Sequence, residues 1–173
     1  MTRLTTPSAD RFDEFLALVA EFDGAHMDGS GFWPGGLQPD PTPEGFRGWV
    51  THLHGEGDES RPPPEGRVHS SYFWITDDAG AWVGFLALRR ALNAFLLEQG
   101  GHIGYSVRPS RRREGHAAAA LALALPEAAA LGLDRVLVTC DEGNAGSRAT
   151  IERNGGTYED SREGKRRYWI STD

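Results

Sequence analysis

The chain has 173 residues, a net charge of −7, 39% hydrophobic residues and 25% charged residues. This length and composition predict one globular domain over residues 1–173 with its own core. The acidic balance argues against nucleic acids and membranes as partners, because those polyanions bind basic surfaces. Cys140 is the single cysteine, which excludes an internal disulfide and favours a reducing compartment. No apolar run has the length of a signal peptide or a membrane span, so we expect a cytoplasmic protein.

Hydrophobic periodicity and turn residues predict interleaved strands and helices. In chain order, we expect a strand at 3–6, a helix capped by Ser8 or Asp10 and ending near residue 22, a helix at 44–54, strands at 68–76, 81–89 and 102–108, a helix at 112–131, a strand at 134–140, a helix at 144–154 and a hairpin of strands at 157–160 and 165–170. This order predicts a mixed α+β fold. Residues 23–43 are rich in glycine and proline and predict a long loop. Phe32 and Trp33 indicate that this loop is ordered, because disordered segments are poor in aromatic residues.

The strongest pattern is GHIGYSVRPSRRREGHAAAAL at residues 101–121. An alternating strand ends at Pro109, and an alanine- and leucine-rich helix begins after the arginines. The first N–H groups of a helix lack partners inside the helix, and the helix dipole is positive there, so a strand, loop and helix start together suit anions. Gly115 and Ala117 would let the backbone approach a phosphate closely. The alternative reading of RRREG is a solvated basic turn.

Arg112-x-x-Gly115-x-Ala117, placed after Val107-Arg108-Pro109, resembles the acyl-CoA signature Q/R-x-x-G-x-G/A of the GNAT N-acetyltransferase superfamily. The longer string resembles a bacterial branch of predicted acetyltransferases, and the resemblance extends over residues 68–170. It implies a mostly antiparallel sheet of six or seven strands, splayed between the fourth and fifth, with about four helices. It also implies acetyl-CoA as co-substrate, no metal, and acetyl transfer to a primary amine of a probably small acceptor.

The resemblance assigns the pyrophosphate to the backbone N–H groups of residues 113–118 and the pantetheine arm to Asn144. Asn144 has a simple helix cap as its alternative role. The expected cofactor-binding residues are Val107, Arg108, Arg112, Arg113, Glu114, Gly115, His116, Ala117, Ala118, Asn144 and Ser147. Arg111 and Arg113 are both candidates for contact with the adenosine phosphate, and a solvent-facing position is the alternative for each. If strands 102–108 and 134–140 run parallel and splay apart, pantetheine can extend the sheet between them.

The reaction needs a stabilised oxyanion and a neutral amine. We expect the Val107 N–H to stabilise the oxyanion. The candidate bases are His102, Glu98, Tyr105 and Glu142, of which His102 and Glu98 are our catalytic predictions. The alternative for His102 is a structural role, in which it bonds the connector at residues 91–100.

The acceptor is expected to contact Trp33, Arg89 and Asn93. The alternative role of Arg89 and Asn93 is to hold the connector in place. In this family, the region between the first two helices commonly lines the acceptor site, and in this chain that region contains Trp33. An acidic surface and aromatic loops give a faint preference for a cationic or amphipathic amine. The sequence leaves homodimerisation open.

One position departs from the family pattern. Many members carry a general-acid Tyr seven residues after the Asn, and this chain has Ile151 there. Tyr105 and Tyr158 stand at other spacings, so we expect no indispensable acid, since a thiolate with a pKa near 8.5 leaves readily. The departure keeps a catalytically silent acyl-CoA-binding module as the alternative function.

Overall fold

The computed structural model describes residues 1–32 and 39–173. The elements in these residues are β1 (Arg3–Thr5), α1 (Phe12–Phe22), α2 (Pro43–Glu56), β2 (Ser70–Thr76), β3 (Trp82–Arg89), a one-turn π-helix (Leu96–Gly100), β4 (Ile103–Val107), a 3₁₀ turn (Pro109–Arg111), α3 (His116–Ala130), β5 (Arg135–Asp141), α4 (Ala145–Arg153), β6 (Thr157–Arg162) and β7 (Lys165–Ser171). The predicted α+β class is confirmed. None of the helices is long and apolar enough to cross a membrane in the ranges described.

The strands form two antiparallel sheets, ordered β1-β2-β3-β4 and β5-β7-β6. The sheets meet where the His102 N–H donates to the Leu137 carbonyl at 2.7 Å. Tyr105 and Cys140, each three residues further along its strand, line the same cavity, so β4 and β5 run in the same direction. Beyond the bond at His102, no ladder joins these two strands over their described lengths. The predicted splay therefore divides the sheet in two, and a gap opens between the ends of β4 and β5.

Strand β3 is buried on both faces, which fixes its neighbour β4 in place. One face packs under α1 and α2 in an aromatic cluster that includes Phe46, Trp49 and Trp82. The other face packs against α3 and the second sheet. Because β4 pairs with this doubly buried strand, its free edge is held rigidly toward the gap.

Two helices begin later than the sequence predicted. Helix α3 begins at His116 and not at residue 112, because Arg113 (φ 66°) and Gly115 (φ 85°) adopt left-handed backbone conformations that a helix excludes. Helix α1 follows Arg11 without a side-chain cap, so the caps predicted at Ser8 and Asp10 were wrong. The Ser8 hydroxyl bonds the Asp10 carboxylate instead.

Candidate active site

A cavity of about 980 Å³ occupies the gap between β4 and β5. At one end, which we call the helix end, it is lined by residues 112–118 at the start of α3. At the other, which we call the arginine end, it is lined by Arg89 and the segment 26–32. The strand edges and the start of α4 lie between the two ends. One elongated cavity therefore connects a helix N-terminus with a group of side chains on the far side of the gap.

The register of β4 determines which of its backbone groups face this cavity. Arg108 N–H donates to the Val83 carbonyl and Arg89 N–H to the His102 carbonyl, at 2.8 Å each. Hydrogen-bonded pairs alternate along an antiparallel ladder, so the N–H groups of Ile103, Tyr105 and Val107 point away from β3. The Val107 N–H, predicted as an oxyanion donor, therefore points toward the gap.

The loop before α3 presents a row of unpaired backbone donors. Among the described residues, the N–H groups of positions 113–118 donate to no acceptor. The positive φ of Gly115 turns the chain into the helix, and a Cβ added there would meet no atom within 4 Å. The loop and the helix dipole together form an open site for an anion, as the sequence predicted.

Two of the four nearby arginines are held by carboxylates. Arg108 pairs with Glu21, and this contact lowers the pKa of Glu21 to about 2. Arg111 contacts Asp77 at 3.0 Å and Glu114 at 2.9 Å, and it lowers the pKa of both carboxyls. The side chains of Arg108 and Glu114, both predicted to bind cofactor, are therefore engaged in ion pairs.

The other two arginines, Arg112 and Arg113, are exposed and contact no carboxylate in the described residues. Arg112 Nε donates to the Val107 carbonyl at 3.0 Å, and its guanidinium lies 5.9 Å from the Phe22 ring centre. His116, another predicted cofactor residue, is buried with its ring between Thr2 and Glu114. The free positive charge at the helix end therefore comes from Arg112 and Arg113.

The start of α4 contributes a second polar group to the middle of the cavity. Asn144 caps α4 by accepting the Ser147 N–H at 3.0 Å. The Tyr105 hydroxyl lies 2.9 Å from the Ser147 hydroxyl, and burial raises the Tyr105 pKa to about 12. Ile151 is buried in the core, and Tyr158 packs against Arg166 away from the cavity. Tyr105 is thus the nearer of the two tyrosines that the sequence offered in place of position 151.

His102 joins the two sheets through both its backbone and its ring. Its Nδ1 accepts the buried Leu137 N–H at 2.8 Å, so that lone pair is occupied. Burial, followed by the charge of Arg89, lowers the His102 pKa to about 4. His102 therefore has a structural role, but its partner is Leu137 of β5 and not the connector at residues 91–100 that the alternative named, and no nitrogen lone pair is left free for a base.

Two further predicted residues lie outside the cavity wall. Glu98 pairs with Arg162 at 2.8 Å. Asn93 donates to the Gly66 carbonyl and accepts the Leu96 N–H, at 2.8 Å each, and so pins the connector. The predicted Trp33 lies outside the described residues.

The sequence missed a pair of side chains at the arginine end. His26 lies 3.3 Å from Asp28, and that contact raises the His26 pKa above its ordinary value. The segment is held on β4, where Ser106 donates to the Asp28 carbonyl at 2.8 Å. Gly29 is required there, because a Cβ would lie 2.5 Å from the Gly104 carbonyl oxygen. The glycines of the 23–43 loop were the available signal for this close contact.

A family model described as "Acetyltransferase (GNAT) domain" matches residues 2–157. The chain belongs to the GNAT acetyltransferase family. The match confirms the resemblance read from the sequence and extends it to the first two helices. Family membership makes the chain an acyl-CoA-dependent N-acetyltransferase. No curated protein matches the chain significantly.

Solved structures of acetyltransferases share the GNAT fold of this chain. RimJ from Mycobacterium smegmatis, in complex with CoA-disulfide, is 21% identical with a TM-score of 0.69, and the match covers 98% of this chain and 81% of that one. Ribosomal-protein-S5-alanine acetyltransferase from Vibrio fischeri is 15% identical with a TM-score of 0.70, covering 99% and 93%. The microcin C7 self-immunity acetyltransferase MccE, in complex with acetyl-CoA and AMP, is 15% identical with a TM-score of 0.68, covering 98% and 92%.

Proposed function

We propose that this GNAT domain transfers an acetyl group from acetyl-CoA to the primary amine of a small acceptor. The observation that carries the proposal is the continuous cavity, which runs from the unpaired N–H groups before α3 along the free edge of β4. Acetyl-CoA has the matching order of groups, with phosphates at one end, amides in the middle and a thioester at the far end. The MccE structure, which contains acetyl-CoA, supports the choice of co-substrate.

In this proposal, the N–H groups of residues 113–118 hold the pyrophosphate, and Arg112 and Arg113 add positive charge. The pantetheine amides pair with the outward backbone edge of β4, beginning at Val107 beside the helix end, as an added strand that runs toward the arginine end. Asn144 contacts the same arm from α4. Arg108, Glu114 and His116 contribute through their backbone or by holding the loop, since their side chains have partners of their own.

The chemistry is direct attack of the amine nitrogen on the thioester carbonyl carbon. Because the thioester lies beyond the pantetheine arm and Val107 lies beside the helix end, we move the predicted oxyanion role from Val107 to the outward N–H of Tyr105. Collapse of the tetrahedral intermediate breaks the carbon–sulfur bond and releases CoA thiolate. We assign proton removal to His26, which lines the cavity beside Asp28, the carboxylate that raises the His26 pKa above its ordinary value. The groups facing His26 are Asp28, Lys165 and Arg89, of which only the carboxylate raises its pKa.

Tyr105 and Ser147 form a hydroxyl pair that lines the cavity and can serve the leaving thiolate. A pKa of about 12 keeps Tyr105 protonated at neutral pH, so it is able to donate. The alternative function is a silent acyl-CoA-binding module, favoured by the buried Ile151 at the position of the usual acid. Steady turnover separates the two functions.

The test measures binding and turnover separately. CoA should raise the melting temperature of the protein, because a ligand selective for the folded state stabilises it. Pantetheine at the same concentration should shift it far less, since it lacks the phosphates for the helix end. Thiol release from acetyl-CoA should then depend on an added amine. Equal shifts from pantetheine and CoA would contradict the phosphate site, and CoA binding with no turnover on any amine would favour the silent module.

A further inference from the structure

Arg89 is the last residue of β3, and its guanidinium lines the arginine end of the cavity. Its Nη1 donates to the carbonyls of Gly100 and Gly101 at 3.1 Å each. These acceptors are neutral and occupy Nη1 alone. Within residues 1–32 and 39–173, Nη2 has no hydrogen-bond acceptor. The side chain is therefore anchored at one nitrogen, with the other left available to a ligand.

Gly104 keeps the guanidinium reachable from the cavity. A Cβ at position 104 would lie 3.3 Å from Arg89 Nη2 and 3.5 Å from Nη1. Any larger side chain would extend across the two nitrogens. Because Gly104 has no side chain, the space in front of Arg89 Nη2 stays open to the cavity.

The charge of Arg89 has no contacting counter-ion in the described residues. Glu56 is held by Arg67 at 2.8 Å, and Asp28 lies beside His26 at 3.3 Å. Burial lowers the Arg89 pKa, yet a guanidinium stays charged in a protein. A partly buried charge without a contacting partner is costly, and an anionic ligand would remove that cost.

The neighbouring arginine shows the contrast. Arg90 contacts Glu59 at 2.5 Å and donates to the Gly57 carbonyl at 3.1 Å, outside the cavity. Two consecutive arginines thus have different surroundings, one with a carboxylate and one without. In the described part of the chain, the difference places a cation without a contacting carboxylate at the arginine end of the cavity.

We infer, building on the proposed function, that the acceptor carries a carboxylate and that Arg89 is the residue that binds it. A singly charged carboxylate matches one guanidinium nitrogen with two free N–H donors. Asp28 also lines the cavity and attracts the acceptor's ammonium group, whereas Asp141 and Lys165, which line it too, pair with each other at 2.6 Å. One guanidinium beside one carboxylate suits a zwitterion better than a phosphate dianion. The acceptor class is therefore an amino-acid-like zwitterion, in contrast to the cationic amine that the sequence faintly favoured.

The first experiment compares acids with their amides. The twenty amino acids and their amides are offered with acetyl-CoA, and thiol release is followed. We expect at least one amino acid to be acetylated, with kcat/KM about 100-fold above that of its amide, through KM. The same comparison is made by binding, with N-acetyl amino acids and their amides titrated onto the CoA complex. The inference would be overturned if amides or spermidine were acetylated as well as the acids. It would also be overturned if no amino acid were acetylated and no N-acetyl amino acid bound.

The second experiment compares variants of the two arginines. Arg89→Gln should raise KM for the amino acid about 100-fold and abolish its preference over the amide, whereas Arg90→Gln should leave both unchanged. Arg89→Lys should restore part of the preference, because the charge remains without the fork. CoA binding should persist in all three, which separates this inference from the proposed function. An unchanged acid-to-amide ratio in folded, CoA-binding Arg89→Gln would refute the inference.

Discussion

The two ends of the cavity are constructed on different principles. At the helix end, backbone N–H groups and two exposed arginines come from one continuous run, residues 112–118. At the arginine end, groups from four separated segments converge, represented by the side chains of Asp28, Arg89 and Asp141 and by the backbone carbonyl of Gly100. A backbone site binds what all acyl-CoA molecules share, and a site of assembled side chains can differ in each enzyme. The comparison predicts that variants at one end leave the other end's ligand unaffected.

The largest effect is expected at the helix end with Gly115→Glu. A carboxylate placed among donors that suit an anion, at a φ of 85°, should weaken CoA binding by at least about 100-fold, or roughly 3 kcal/mol. Calorimetric titration of CoA measures the change. The matched control is Gly132→Glu, because Gly132 follows the other end of α3 with a φ of 80° and is equally open. Equal losses in both variants would mean that backbone strain, and not the anion site, is responsible.

At the arginine end, His26→Gln should lower kcat/KM by about 100-fold with CoA affinity unchanged. In the parent protein, kcat/KM should rise with pH through an ionisation above pH 6.5, since Asp28 raises the His26 pKa and a base must be neutral. This ionisation should disappear in the variant. A pH profile that survives in His26→Gln and follows the acceptor amine would assign proton removal to desolvation.

Between the two ends, His102→Ala should act on stability. It removes the acceptor of the buried Leu137 N–H, at a cost of about 2–4 kcal/mol in the free energy of unfolding. Urea unfolding measures this, and His102→Asn, which restores an acceptor, should recover part of the loss. Near-normal kcat/KM below the melting temperature is expected, and a 100-fold loss in a folded variant would reinstate His102 as the base.

The same residue predicts a pH dependence. With a pKa of about 4 in the folded protein against an ordinary 6.5, His102 takes up its proton more readily when the chain unfolds. The stability linked to this pKa difference, about 3 kcal/mol, is therefore fully present above pH 6.5 and is lost as the pH falls toward 4. Unfolding at several pH values should show this loss in the parent protein, and His102→Asn should lack it.

Smaller effects should distinguish the arginines of the helix end. Arg113→Gln should weaken CoA binding by about tenfold and reduce its salt dependence, because this charge has no carboxylate partner. Arg111→Gln should change CoA affinity less than threefold, since Asp77 and Glu114 hold that side chain. The reverse order would show that CoA draws Arg111 out of its ion pairs.

The smallest effect is expected for Tyr105→Phe, which removes the hydroxyl beside Ser147. Because the thiolate leaves without much protonation, kcat should fall by less than about tenfold, with Tyr158→Phe unchanged as the control. Rapid-mixing measurement of the acetyl-transfer step tests this. A loss above 100-fold with intact CoA binding would make Tyr105 an essential acid.

The sequence by itself determined the helix end. The pattern of Arg112, Gly115 and Ala117 after an alternating strand predicted the family by resemblance and the donor loop by local geometry, because the N–H groups at a helix start depend on neighbours within a few residues. The order of predicted elements along the chain gave the α+β class. The sequence misjudged where α3 begins, since the left-handed conformation of Arg113 depends on the loop as a whole. Local patterns predict local hydrogen bonding well, and positive φ at a residue other than glycine is the usual exception.

The arrangement of groups at the arginine end depends on the tertiary structure alone. Arg89 and Asp28 are 61 positions apart, and Gly29 reaches β4 only because Gly104 opposes it across a close backbone contact. His102 had the right chemistry for a base in the sequence, and its burial against Leu137 gave it a structural bond instead. Charges, burial and pKa values arise from packing between distant segments, so no pattern of nearby residues carries them.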